Sequence, residues 1–371
     1  MPVRLRLLSL RGRLMVPFLS ILHGTAVGFY PNEGEMIGEI LRASDIEVTG
    51  VFLRGEAEAG GGTVDASVGV ERISLDYQPN PRVDVVRRHV SLREYTQSAR
   101  IGFGKAASEF VEWSVAGMCR SGFGDFASVW VDEYFRQQFG TFPEYRTASP
   151  RVVSAEAAVR WEAVPANVFA EATLVAARER IAPGYHRDFA AGGVLTRENE
   201  RFDSLSLSVT VESFLSRRVR MRHSLLASAV SPRVPRYAYA GEYIWAVSRD
   251  WTLRGSLQAT TDGTRFQAIS LRQTLRREWR KGWWTGISGR FYADNGRLDE
   301  SLAVFAAAPP ALTSLEGLLH VHRETRRTFF GLSAGPYLTR YADPETEIAP
   351  FLHLFADRDW WRMRAVFSRR F

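Results

Sequence analysis

Two groups of residues near the carboxyl-terminal end of the chain have types and spacing that could support chemistry. Gly331, Ser333 and Gly335 form the G-x-S-x-G pattern of serine hydrolases, in which the nucleophile lies on a sharp turn between a strand and a helix. Here the pattern lies inside a run with an apolar residue at every second position over residues 330–338, and no helical pattern follows. We therefore expect a strand at Ser333 and no catalytic residues, with a hydrolase as the least favoured alternative.

His320 and His322 form the second group, two positions apart. Alternate side chains of a strand share a face, so the two imidazoles could in principle bind one metal ion. No third ligand stands nearby in the sequence, and the opposite face would carry Leu319 and Val321. The pattern therefore predicts two polar residues facing water, with no metal site and no cofactor.

The elements that must position these residues are strands. Beyond residue 45 the chain alternates apolar and polar residues in segments of about ten, separated by turn-rich breaks. The clearest segments cover residues 111–117, 153–161, 205–211 and 251–259. Further candidates cover residues 64–75, 99–105, 126–135, 168–176, 219–229, 237–247, 285–292, 315–322 and 330–338. Prolines in the breaks cannot donate to a sheet ladder, so the breaks bound the strands.

So many long strands predict an all-β fold, a single antiparallel transmembrane β-barrel over residues 27–371. We expect an even strand number of about 16, with 14 to 18 allowed, and both chain ends on the periplasmic side. Aromatic residues at segment ends, such as Trp283 with Trp284 and Trp360 with Trp361, suit a membrane interface. A soluble β-sandwich is the main alternative, but a sheet of this size would have to split or cover its edges.

The first 26 residues have the plan of a cleavable secretory signal. Four arginines up to Arg13 precede an apolar run, and small residues follow at Gly24 and Ala26. A buried first helix or an uncleaved anchor is the alternative. Removal of this segment would lower the formal charge from +7 to +3, which gives no argument for a nucleic-acid partner. Elsewhere, no apolar run is long enough to cross a membrane as a helix.

The last segment resembles the closing strand of bacterial outer-membrane barrels. In that family the final residue is typically phenylalanine, hydrophobic residues precede it at alternate positions, and the assembly machinery reads this strand. Met363, Ala365, Phe367 and Phe371 match the pattern, whereas Arg369 stands where a hydrophobic residue is usual. The resemblance implies a bacterial outer-membrane location, contact with outer-membrane lipid and lipopolysaccharide, and recognition by the barrel-assembly machinery.

A second resemblance covers roughly residues 235–294. Pro235 and Arg236 precede two predicted strands, Asp250 and Trp251 mark a turn, and the tetrapeptide beginning at Arg290 closes the stretch. This stretch is similar to a family of outer-membrane barrels of unknown function. The tyrosine-rich segment that such proteins have before Asp-Trp is replaced here by residues 243–246, and the resemblance implies no activity.

Arginines on the polar faces of several segments are the candidate functional residues. They are Arg218, Arg220, Arg222, Arg254, Arg290, Arg362 and Arg364. A charge facing lipid near mid-membrane costs about 2 to 4 kcal/mol, so these side chains should line the lumen, where rings of arginine favour anions. The sequence thus predicts a porin-like passive channel for small polar or anionic solutes. The alternative is a filled barrel that serves as a platform for a partner, with the arginines paired to acids such as Glu112, Glu156 and Glu316.

Overall fold

The computed structural model describes residues 33–77, 89–123, 126–147, 150–180, 185–188, 193–197, 201–231, 235–263, 266–296, 311–342 and 356–370. In these residues, sixteen strands close into one antiparallel barrel. The barrel strands are β1 (Glu33–Arg42), β2 (Ile46–Ala59), β3 (Gly62–Tyr77), β4 (Val90–Ala106), β5 (Val111–Ser121), β6 (Arg151–Val164), β7 (Val168–Arg180), β10 (Arg201–Ser216), β11 (Val219–Ser231), β12 (Arg236–Ala246), β13 (Trp251–Thr261), β14 (Gln267–Glu278), β15 (Trp283–Asp294), β16 (Leu312–Glu324), β17 (Thr328–Tyr341) and β18 (Arg358–Arg370). A two-stranded hairpin, β8 (Tyr185–Asp188) with β9 (Val194–Arg197), lies between β7 and β10.

Each barrel strand pairs with its neighbours along the chain, and the first strand pairs with the last. The closing register runs from Glu33 opposite Arg370 to Arg42 opposite Trp361. The predicted all-β fold and its even strand number, about 16, are therefore confirmed. Closure leaves no barrel edge strand unpaired, which satisfies the backbone polar groups internally, as a membrane requires.

The two ends of the barrel differ in the length of their connections. One end has short turns, including the turn at Gly60 and Gly61, whose positive φ angles (61° and 72°) suit a two-residue hairpin. The other end carries most of the long connections, such as residues 122–150 and 342–357. Outer-membrane barrels have short periplasmic turns and longer extracellular loops. By this rule the short-turn end, where Glu33 and Arg370 lie, is periplasmic.

The two faces of the sheet have opposite chemistry. One face carries exposed aliphatic side chains, among them Leu205, Leu319 and Leu332, while the other carries ion pairs that reach across an intervening strand. For example, Arg100 on β4 contacts Glu156 on β6, at 3.4 Å. Such pairs can form only on the concave side, so the charged face is inward and the apolar face is outward.

The outward face has a belt of aromatic residues near the short turns. Exposed Trp161, Trp245, Trp251, Trp283 and Phe330 lie close to strand ends there, where the amphipathic rings of tryptophan suit a membrane interface. The interface prediction holds for only one residue of each tryptophan pair, because neighbouring residues of a strand point to opposite faces. Trp283 and Trp361 are outward and exposed, whereas Trp284 stacks inside on His322 and Trp360 is buried.

One predicted strand is wrong. Residues 126–135 belong to α1 (Phe126–Phe139), within the long connection between β5 and β6. Apolar residues four apart, Val131, Phe135 and Phe139, give this segment a helical period as well as partial alternation. The strands β1, β2 and β14 were not among the candidate segments, although β14 has Ile269, Leu271 and Leu275 on its outward face.

Two further features bear on the membrane. The predicted signal segment, residues 1–26, lies outside the described residues. Within the residues that the structure describes, no helix is long and apolar enough to cross a membrane.

Candidate functional site

The inner wall of the barrel holds most of the arginines that the sequence singles out. Those on inward faces are Arg220 and Arg222 of β11, Arg254 of β13, Arg290 of β15, and Arg362 and Arg364 of β18. Arg218 instead lies in the turn between β10 and β11, where its backbone N–H donates to the hydroxyl of Ser216 at 3.2 Å. The chain reverses direction in this turn, so Arg218 shares no sheet face with the inward arginines.

Several of these arginines form ion pairs with inward carboxylates. Arg220 contacts Glu212 at 2.5 Å, and Arg254 contacts Glu242. Arg362 bridges Glu39 on β1 and Glu316 on β16, at 2.6 and 2.7 Å. The side chain of Glu316 is only 3% exposed. Removing a partner would therefore leave a buried charge uncompensated, a costly change.

Two of the three acids that the sequence suggested as arginine partners form ion pairs. Glu316 and Glu156 do form ion pairs, with Arg362 and Arg100. Glu112 is inward and directly opposite Arg160, but in the part of the chain that the structure describes it forms no ion pair within 4 Å. Arg160 lies over the ring of Phe169 instead, 5.1 Å from its centre. The inner wall thus combines paired charges with groups that face water.

Charge is distributed unevenly around the inner wall. The inward faces of β1, β2 and β3 carry one arginine, Arg54, and the carboxylates Glu33, Glu35, Glu39, Glu56, Glu58, Asp65 and Glu71. Those of β11 to β15 carry Arg220, Arg222, Arg236, Arg254, Arg272, Arg276 and Arg290, with Glu242, Glu278 and Asp294. In the closed ring, β3 and β13 lie eight strands apart. An acidic wall therefore faces a basic wall across the lumen.

The mouth at the long-loop end is partly filled from the acidic side. Phe135 of α1 and Tyr185 of β8 pack with the inward residues Ile46, Leu75 and Trp360, which belong to β2, β3 and β18. The hydroxyl of Tyr185 donates to the carbonyl of Arg146 at 2.8 Å and accepts from its N–H at 3.0 Å, which ties the hairpin to the chain after α1. The helix and hairpin thus cover the mouth beside β1 to β4.

The G-x-S-x-G pattern and the histidine pair, which sequence reasoning treated separately, meet on the inner wall. Ser333 Oγ lies 2.9 Å from His320 Nδ1, and Ser288 Oγ lies 2.7 Å from His320 Nε2. His322 stacks on Trp284 with 3.4 Å between ring centres. Both nitrogens of His320 are thus engaged by serines. No group of three His, Cys, Asp or Glu in the described residues could hold a metal ion.

The backbone at Ser333 lacks the strain of a nucleophile elbow. Ser333 lies within β17 and pairs on both sides, opposite His320 and Arg364. Among the described residues, only Ala166 and Lys281 of the non-glycine residues have positive φ. The serine is therefore in an ordinary strand rather than on the sharp strand-to-helix turn that presents a hydrolase nucleophile.

The predicted assembly residues lie on the outward face of β18. Met363 and Phe367 are exposed, 45% and 42%, where lipid would surround them, and Ala365 shares their face. Phe371 lies outside the described residues. Recognition of this strand by the assembly machinery stays a prediction.

Comparison with solved structures places the fold among outer-membrane barrels. The chain is similar to CdiB from Acinetobacter baumannii (TM-score 0.53, 7% identity, covering 91% of this chain and 60% of that one). It is likewise similar to CdiB from Escherichia coli, with a TM-score of 0.53 and 8% identity, over 93% of this chain and 64% of that one. A third similar structure is described as a bacterial polysaccharide outer membrane secretin. Its TM-score is 0.50 and its identity 11%, over 92% of this chain and 100% of that one.

These likenesses establish the fold alone, which is that of bacterial outer-membrane β-barrels. The chain spans less than two thirds of the length of either CdiB chain, 60% and 64%. No family model and no curated protein matches the sequence. The resemblance of residues 235–294 to an outer-membrane family of unknown function therefore stays a prediction.

Proposed function

We propose that the protein is a passive channel of the bacterial outer membrane for small polar or anionic solutes. The observation that carries the proposal is the inner wall, where charged side chains remain accessible to water. Arg254 and Arg220 are 60% and 42% exposed, and Glu156 is 38% exposed. Inward side chains in a filled barrel would be buried against one another, as they are at Glu316 and Trp360. The proposal involves no cofactor and no catalytic residue.

The charge distribution supports the choice of solute. Opposed acidic and basic walls produce a field across the lumen, in which polar solutes orient. Because α1 and the β8–β9 hairpin cover the mouth beside the acidic wall, the basic wall of β11 to β15 borders the rest of the mouth. Anions would follow that wall, since arginines lining a pore favour them.

The selectivity of the channel tests this proposal. In planar bilayers under a KCl gradient, the reversal potential of the wild-type protein should show weak anion selectivity. Replacing Arg218, Arg220 and Arg222 with glutamate should shift it toward cations, because these charges act within a screening length of about 8 Å at physiological salt. Most of the shift should come from Arg222, which is exposed and, among the described residues, forms no ion pair.

Arg178→Glu is the matched control. The side chain of Arg178 is 74% exposed on the outward face, where it pairs with Asp203 at 2.7 Å, so its replacement by glutamate should leave the reversal potential unchanged. Protein that inserts but passes no ions would refute the channel. A reversal potential that does not change when Arg222 is replaced with glutamate would contradict the role of the basic wall.

The second candidate function is a filled barrel that serves as a platform for a partner. The packing of α1 and Tyr185 against Trp360 and Leu75 favours it, because this apolar cluster occupies part of the mouth. In this case the inserted protein would conduct no ions in planar bilayers. In either case we expect lipid and lipopolysaccharide around the outward face, and assembly through the barrel-assembly machinery.

A further inference from the structure

Two neighbouring arginines of the basic wall have no acidic partner among the described residues. Arg272 of β14 and Arg290 of β15 are directly opposite each other in the register and point inward. Glu316 is directly opposite Arg290 on the other side, but its carboxylate contacts Arg362. Glu242 is likewise occupied by Arg254. In the described chain, neither Arg272 nor Arg290 forms an ion pair or a side-chain hydrogen bond.

This arrangement places uncompensated positive charge on one part of the wall. Arg272 is attracted by Glu316 and repelled by Arg362, Arg290 and Arg254. Like charges directly opposite each other in a sheet are destabilising. In addition, Nε of Arg290 is buried and has no hydrogen-bond partner, and an unsatisfied buried donor is costly. A bound anion would relieve both costs.

The chemistry of the anion follows from the donors. Two arginines at directly opposite positions of one sheet face carry planar sets of N–H donors that match the oxygens of a phosphate group in bidentate fashion. The hydroxyl of Ser256 is directly opposite Arg272 on the same face and adds a neutral donor nearby. Arg272 is exposed to the lumen, so a solute could reach it from water.

We infer that Arg272 and Arg290 form a saturable binding site for a phosphate group on the inner wall of the barrel. The inference deepens the proposed channel function, since it names the class of anion that the basic wall holds. The ligand is a doubly charged tetrahedral oxyanion, either free phosphate or a phosphate monoester.

Calorimetric titration of the detergent-solubilised barrel tests the site without requiring conduction. Inorganic phosphate and glycerol 3-phosphate are titrated separately at constant ionic strength in KCl. We expect saturable binding of at least one of them. The ligand that binds more tightly shows whether the site prefers free phosphate or a phosphate monoester. Arg272→Gln and Arg290→Gln should each weaken binding at least ten-fold, because each removes charged hydrogen bonds. Arg272→Lys should also weaken it, since lysine keeps the charge but loses the planar donor set.

Arg178→Gln, which removes one positive charge from the outward face, is the control and should bind as the wild type does. Thermal unfolding gives a second readout: phosphate should raise the unfolding temperature of the wild type but not of the double glutamine variant. Absence of saturable binding, or equal binding by wild type and both glutamine variants, would overturn the site. Binding by a barrel that passes no ions would refute the channel and leave the site standing.

Discussion

Gly335 lies on β17 beside the backbone of β16, where a Cβ added to Gly335 would overlap the carbonyl oxygen of Gly317. A Cβ at Gly331 would lie 2.7 Å from Nδ1 of His322. Between them, Ser333 hydrogen-bonds His320 at 2.9 Å. Each residue of the G-x-S-x-G pattern therefore has a packing role in the barrel wall.

This packing role predicts the effects of single substitutions. Gly335→Ala should lower the free energy of unfolding by about 1–3 kcal/mol, because the backbones of two strands would have to separate. Ser333→Ala should cost only about 1 kcal/mol, the net value of one hydrogen bond. The temperature at which gel mobility changes from folded to unfolded measures both.

Gly38→Ala is the control for that series, since nothing lies within 4 Å of a Cβ added at Gly38, and its effect should be small. If Gly335→Ala were as stable as this control, the packing explanation would fail. Covalent labelling of Ser333 by a fluorophosphonate would contradict the assignment of no catalytic residue.

At the scale of elements, β18 joins the two ends of the sheet. It pairs with β17 on one side and with β1 on the other, so the barrel cannot close without it. Its outward residue Phe367 is 42% exposed on the face that lipid would cover. Arg370, by contrast, points inward near Glu33, at 3.7 Å.

The position of β18 predicts how substitutions affect assembly. Phe367→Asp, or deletion of Phe371, should lower the amount of protein in the outer membrane far more than Arg370→Ala, because the first two alter the strand that the assembly machinery is expected to read. Quantitative immunoblots of outer-membrane fractions measure this. Equal yields of the three variants would rule out recognition through these phenylalanines.

The elements show which features a sequence can predict. Strict alternation predicted strands such as β6 and β13, because one face meets lipid and the other meets water. α1 escaped prediction because it is held by contacts with distant residues, such as those of Phe135 with Ile46 and Leu75. Period alone cannot separate a short apolar helix from a strand.

At the scale of the whole molecule, the inner wall depends on which strands face each other. The sequence placed Arg254 and Arg290 on polar faces, but β14 and its Arg272 were not predicted. Omitting β1, β2 and β14 from the ring also conceals the acidic wall opposite the basic one. Only the closed order of strands brings the carboxylates of β3 across from Arg254 of β13.

We propose that water and small solutes pass through this barrel. Swelling of proteoliposomes in isotonic solutions of neutral sugars measures such passage directly and does not depend on the charge of the solute. Pentoses should enter quickly and larger sugars progressively more slowly, whether or not Arg222 has been replaced. Protein that inserts with heat-modifiable mobility but gives no swelling with any sugar would show that the barrel is not an open channel.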